Sequence, residues 1–68
     1  MIEWVNVNST AIRRIGYDAL AMLMYIDFED NAPYYTFCGV PEGTFREFTR
    51  ASSVGRYYHQ YIKDHYNC

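Results

Sequence analysis

Ser52-Ser53-Val54-Gly55-Arg56 places two hydroxyls and a guanidinium where an amphipathic stretch begins, with Arg50 just before it and Lys63 one to two helical turns beyond. Backbone N–H groups at a helix start, flanked by such side chains, can hold a phosphate. The same serines also suit an ordinary N-cap, in which a hydroxyl oxygen accepts from an orphan backbone donor; that is the commoner role, and the two are compatible. Aromatic residues supply the second chemistry. Tyr17, Tyr35, Phe37, Tyr57, Tyr58, Tyr61 and Tyr66 offer π-faces on which a base could stack. In a short chain most of these rings must build the core instead. The expected ligand-binding set, for phosphate and base together, is Arg50, Ser53, Arg56, Tyr57, Lys63, Tyr35 and Phe37.

Other reactive residue types do not assemble into a recognisable site. His59 and His65 are six apart, so on a helix their rings end about 120° from facing the same way. His65 and Cys68 are three apart near a terminus, two ligands where a metal site needs more. Cys38 lies in Tyr-Thr-Phe-Cys-Gly-Val, the context of a strand end, where a free cysteine packs as a small hydrophobe. No Gly-x-Ser-x-Gly, His-Glu-x-x-His or Walker-type loop occurs. Asp18, Glu29 and Asp30 flank turns, where acids are solvated. The expectation is a protein that is not an enzyme, with no metal and no cofactor.

Positioning these residues falls to a few short elements. Residues 2–7 are β-branched and aromatic and end in Asn-Ser-Thr, a strand followed by a turn. A second strand centres on residues 14–17, where Gly16 argues against helix. Residues 23–28 read as a buried strand with Met24, Ile26 and Phe28 on one face and Leu23, Tyr25 and Asp27 on the other. Residues 29–33 form a polar turn closed by proline, and residues 34–38 resume as a strand, which makes a hairpin. Tyr35 and Phe37 share one face of that strand and Tyr34 and Thr36 the other, so helices on one side of the sheet leave one pair exposed. Pro41 marks a helix start, with Phe45, Phe48 and Ala51 at helical spacing. Val54, Tyr57, Tyr58, Tyr61, Ile62 and Tyr66 then trace an amphipathic helix over 53–66. The fold class is α+β: an antiparallel meander of three to four strands, then two helices packed on one face.

Size and charge limit what this scaffold can do. Sixty-eight residues hold one domain and one core, and 19% aromatic content supplies large side chains for it. Self-association is the alternative route to stability. Eight acids outnumber six Lys and Arg, for a net charge of −2, which disfavours nucleic-acid binding by bulk electrostatics. Arg46, Arg50, Arg56 and Lys63 cluster late in the chain, however, and leave room for a local basic face. The two cysteines belong to no C-x-x-C pair, so a structural disulfide is not expected. The longest apolar run, residues 19–26, is too short to cross a bilayer. With no signal-like start, the expected setting is a reducing cytoplasm with no membrane contact.

The ordered pieces Glu3-Trp4-Val5, Ser9-Thr10, Ile15-Gly16-Tyr17-Asp18, an aromatic-x-aromatic centre, Gly39-Val40-Pro41, Ser53-x-Gly55-x-Tyr57-Tyr58 and Ile62-Lys63 together resemble the KTSC domain family over residues 3–66. That family is named for a module at the C-terminus of some lysyl-tRNA synthetases and also occurs as small stand-alone bacterial and phage proteins. The resemblance implies a single domain over 1–68 with no settled activity, for which RNA binding is suggested by the company of a tRNA enzyme. Three positions depart from the family pattern: Tyr35-Thr36-Phe37 replaces Tyr-x-Tyr, His59 stands where Asn is frequent, and Lys63 where Arg is frequent. The last exchange weakens bidentate phosphate contact. Two functions are carried forward. The first is a non-enzymatic module for RNA or a phosphate-bearing nucleotide. The second is a protein-interaction module, including a phage counter-defence accessory, docking through aromatics on a host protein or on a second copy as a homodimer.

Overall fold

Runs rich in β-branched and aromatic residues build a four-stranded antiparallel sheet in a computed structural model that describes residues 1–30 and 33–68. The strands are β1 (Glu3–Asn6), β2 (Ile12–Asp18), β3 (Leu23–Phe28) and β4 (Tyr35–Phe37), in spatial order β1-β2-β3-β4. Register follows the side-chain alternation. Val5 pairs with Ile15 and Ile15 with Ile26, while Trp4, Gly16, Tyr25 and Thr36 form a row across the sheet. Between Ile12 and Arg14 the register shifts, a bulge that places Arg13 and Arg14 side by side toward Asp27. The turn expected over 29–33 includes Asn31 and Ala32, which lie outside the described residues.

Gly16 serves a close approach. The Trp4 ring lies directly over it, and a Cβ there would sit 2.8 to 2.9 Å from three ring atoms. The glycine that argues against helix in the sequence is therefore the seat of the only tryptophan.

Two helical segments cover one face of the sheet. Helix α1 (Glu42–Arg50) buries Phe45 and Phe48, and Pro41 is its N-cap, in extended conformation, one position earlier than the first helical residue expected of it. Helix α2 (Val54–Tyr57) runs directly into a π turn (Tyr58–Ile62) and stops there. The amphipathic helix expected over 53–66 is thus shorter and wider. Tyr57 stacks on Phe48, and Tyr58 packs edge-on against both Phe28 and Phe37. The π turn accommodates these neighbouring rings together with fully buried Ile62. Asp64, in the left-handed region at φ 65°, then turns the chain back.

The core is one cluster: Ile12, Ile15, Tyr17, Met24, Ile26 and Phe37 from the sheet against Val40, Phe45, Phe48, Val54 and Ile62. Tyr17 is buried with its ring stacked on Phe45, and its hydroxyl donates to the Val40 carbonyl. Burial, with Glu42 and Asp18 as lesser causes, raises its pKa above the ordinary 10.0.

One expectation is overturned. Cys38 and Cys68 form a disulfide, with Cα atoms 4.8 Å apart across 30 residues of sequence. Spacing gave no sign of it, because the pairing depends on the return of the C-terminal segment to the end of β4, which residue types alone do not encode.

Candidate functional site

The two helices meet at Ala51-Ser52-Ser53, and the chain is extended on both sides of that joint. Ala51 closes α1 with its N–H donating to the Phe48 carbonyl, and Ser53 opens α2 with its hydroxyl oxygen accepting from the Arg56 N–H at 3.3 Å. The serine cap is therefore made as expected. Accepting leaves the hydroxyl hydrogen of Ser53 free to donate outward. The joint leaves a shallow depression of about 160 Å³ lined by Ala51, Ser52, Ser53, Arg56, Tyr57 and Gln60.

Three of the expected site residues, Ser53, Arg56 and Tyr57, come together here. Tyr57 is held between Phe48, 5.5 Å away and nearly parallel, and Tyr61 at 4.7 Å, and its hydroxyl donates to Glu47 Oε1 at 3.2 Å. Burial first, then the Glu47 bond, raises its pKa above the ordinary 10.0. Gln60 was missed by the sequence reading. It lies one turn beyond Arg56, a spacing that could have suggested it.

The remaining residues stand apart. Arg50 ends α1 and Lys63 caps the π turn, both exposed but not lining the depression. Tyr35 and Phe37 sit on β4, on the helix-covered side. Phe37 is only 8% exposed, its ring held against Tyr58, so it cannot offer a face to a base. Tyr35 is half exposed at the sheet edge against Phe28. On the opposite face of β4 and just before it, Thr36 and Tyr34 are exposed, so within the expected pair only Phe37 is buried and Tyr35 keeps an accessible ring.

Charge separates the cations into two groups. Arg13 and Arg14 pair with Asp27, and Arg13 also with Glu29; Arg46 pairs with Glu42 at 2.8 Å and Glu3 at 3.4 Å. Among the described residues, Arg50, Arg56 and Lys63 make no ion pair. Arg46, grouped with them by sequence position, is occupied, and its carboxylate neighbours raise its pKa.

A second feature lies on the helix-free face of the sheet. Trp4, Tyr25 and Tyr34 pack edge-to-face or tilted with centroids 5.3 to 6.1 Å apart, and the Arg14 guanidinium lies 4.2 Å from the Trp4 ring centre. Strand alternation set Tyr25 opposite Met24 and Ile26, and Tyr34 opposite Tyr35 and Phe37, without saying which face is covered; only the register brings them to Trp4.

A model of the KTSC domain matches residues 8–66. The chain belongs to the KTSC family. The solved structure of a KTSC domain protein from Yersinia pestis is similar to it at 32% identity and a TM-score of 0.90, covering 97% of this chain and 92% of that one. None of the curated proteins matches the chain. This KTSC domain also contains, among the described residues, no helix long and apolar enough to cross a membrane and no cluster of three or more His, Cys, Asp or Glu suited to a metal. Cys38 and Cys68 are bonded to each other, so neither offers a thiol in this state and the His65–Cys68 pairing is closed.

Proposed function

We propose that this KTSC domain is a non-enzymatic binding module whose helix joint holds the phosphates of a single-stranded RNA. The observation that carries the reading is the charge census. Of six cations, the three without a carboxylate partner among the described residues are Arg50 at the end of α1, Arg56 in α2 and Lys63 after the π turn, and of these Arg56 lines the depression. Arg56 opens on a depression where a serine hydroxyl and the Gln60 amide can donate to the same anion. At about 160 Å³ the depression is well below the roughly 300 Å³ of a pocket that buries a small ligand. That size fits a phosphate held at the surface, and so favours a phosphodiester chain over a free nucleotide with a buried base. Affinity rests on local cations, because the net charge of −2 gives no bulk attraction.

Fluorescence anisotropy with a labelled single-stranded RNA tests this. Arg56→Ala weakens binding several-fold with an unchanged melting temperature, since Arg56 is exposed and its side chain has no ion pair among the described residues; Arg46→Ala, removing a paired arginine, leaves binding unchanged. Equal affinity of Arg56→Ala and the parent protein contradicts the reading.

The helix-free face favours a second reading, a protein-interaction module. Trp4, Tyr25, Tyr34 and Arg14 are the residue types that dominate binding energy at protein interfaces. Tyr34→Ala, half exposed in the free protein, separates the two, because it weakens docking on that face and leaves the helix joint untouched.

A further inference from the structure

We infer that the Cys38–Cys68 disulfide is a thiol-reducible clasp that holds residues 63–68 against the outer edge of β4, and that reducing it releases this segment from a domain that stays folded.

Strand order places β4 at the border of the sheet, with β3 on one side only. An unpaired strand edge is a pairing hazard that proteins cover. Here the cover is the chain's own residues 63–68. After Ile62 the left-handed Asp64 reverses the path, the His65 N–H donates to the Ile62 carbonyl, and the segment returns until Cys68 meets Cys38, the residue just after β4. The Cys68 sulfur stands 3.6 Å from the Thr36 carbonyl oxygen, in the middle of that strand. A disulfide sulfur carries no hydrogen, so this is contact without a hydrogen bond.

What else holds the segment is little. Among the described residues no backbone hydrogen bond joins 63–68 to β4. Lys63, Asp64, His65, Asn67 and Cys68 are exposed, and half-buried Tyr66 alone packs on the core. The core itself ends at Ile62, which is fully buried. The covalent bond is therefore the principal attachment of the segment, and the core does not depend on it.

The two sulfurs differ in access, since Cys68 is exposed and Cys38 half-buried. A dithiol reductant attacks as thiolate at the Cys68 sulfur; the S–S bond breaks and Cys38 leaves as thiolate, which takes up a proton. The second thiol of the reductant then displaces Cys68 from the mixed disulfide. Cys68 leaves as a thiolate and is protonated. Two electrons have passed from the dithiol, now a disulfide, to the protein. The products are a free segment and a bared three-residue edge, Tyr35–Phe37, beside the half-exposed Tyr35 ring.

Backbone ¹⁵N relaxation on the full chain, with and without dithiothreitol, and alkylation followed by mass measurement test the clasp. The untreated protein takes up no alkyl group and its residues 64–68 are as ordered as the strands. After reduction two groups are added, and order parameters of 64–68 fall from about 0.85 to below about 0.6 while residues 3–62 keep theirs. Cys68→Ser, at an exposed position, reproduces the mobile segment without reductant. Three outcomes overturn the inference: a segment that stays rigid after reduction or in Cys68→Ser, a domain that unfolds as a whole on reduction, or two free thiols in the air-equilibrated protein.

Discussion

Gly16 lies beneath the Trp4 ring with no room for a methyl group. Gly16→Ala therefore displaces that ring or bends β2, at a cost of about 1–3 kcal/mol, measured by urea unfolding. Because Trp4 is the only tryptophan, the same variant shifts the protein's tryptophan emission. Tyr17 makes a second residue-scale test. Tyr17→Phe leaves the buried Val40 carbonyl without its donor and costs about 1–3 kcal/mol. Its raised pKa also fixes a pH dependence. Between the ordinary value of 10.0 and the higher folded value, the unfolded chain has lost a proton that the native state keeps, so stability is full below pH 10 and falls above it. Tyr57 and Tyr58, raised by burial first, act in the same direction. Melting temperatures measured from pH 7 to 11 check the sign, and Tyr17→Phe shows a shallower alkaline decline. Ser53 was legible because a cap is a local signal, whereas Gln60 and the Trp4–Tyr25–Tyr34 group depend on turns and register that bring separate residues together.

At the scale of elements, β-favouring residue types and Gly16 marked a meander of three to four strands, and β3 matches the expected span of 23–28. They could not mark the bulge at Arg13, since an inserted residue shows only when the partner strand is known. Nor could apolar spacing tell an α-helix from a π turn: Tyr57, Tyr58, Tyr61 and Ile62 suit either, and packing on Phe28, Phe37 and Phe48 decides. The extended residues Ala51 and Ser53 break what would otherwise be one long helix, so the joint depends on its cap. Ser53→Ala lowers stability by about 1 kcal/mol and Ser53→Asp restores most of it, both read from denaturant midpoints. The same aspartate places a negative charge in the depression, and it weakens RNA binding despite the restored fold. Recovery of both stability and affinity in Ser53→Asp contradicts a phosphate at that position.

As a whole molecule, the domain is a thin sheet with one covered face, one aromatic face and a staple across 30 residues. Closing a loop of that length contributes about 3–4 kcal/mol through the unfolded state, so the reduced protein reaches its urea midpoint earlier while keeping its native spectrum below it. Function at this scale is a question of which surface carries affinity. Arg56 in the depression and Arg50 and Lys63 on either side of it in sequence make no ion pair among the described residues, and these three predict that binding of single-stranded RNA weakens with salt as three counterions are released, whereas docking through Trp4, Tyr25 and Tyr34 depends little on salt. The decisive measurement is the dissociation constant for a labelled single-stranded RNA at a series of salt concentrations between 50 and 200 mM, conditions of the kind used to separate the two terms. A plot of log affinity against log salt with a slope of about −2 is the predicted result. A slope near zero, or no binding at the lowest salt, contradicts phosphate recognition at the joint.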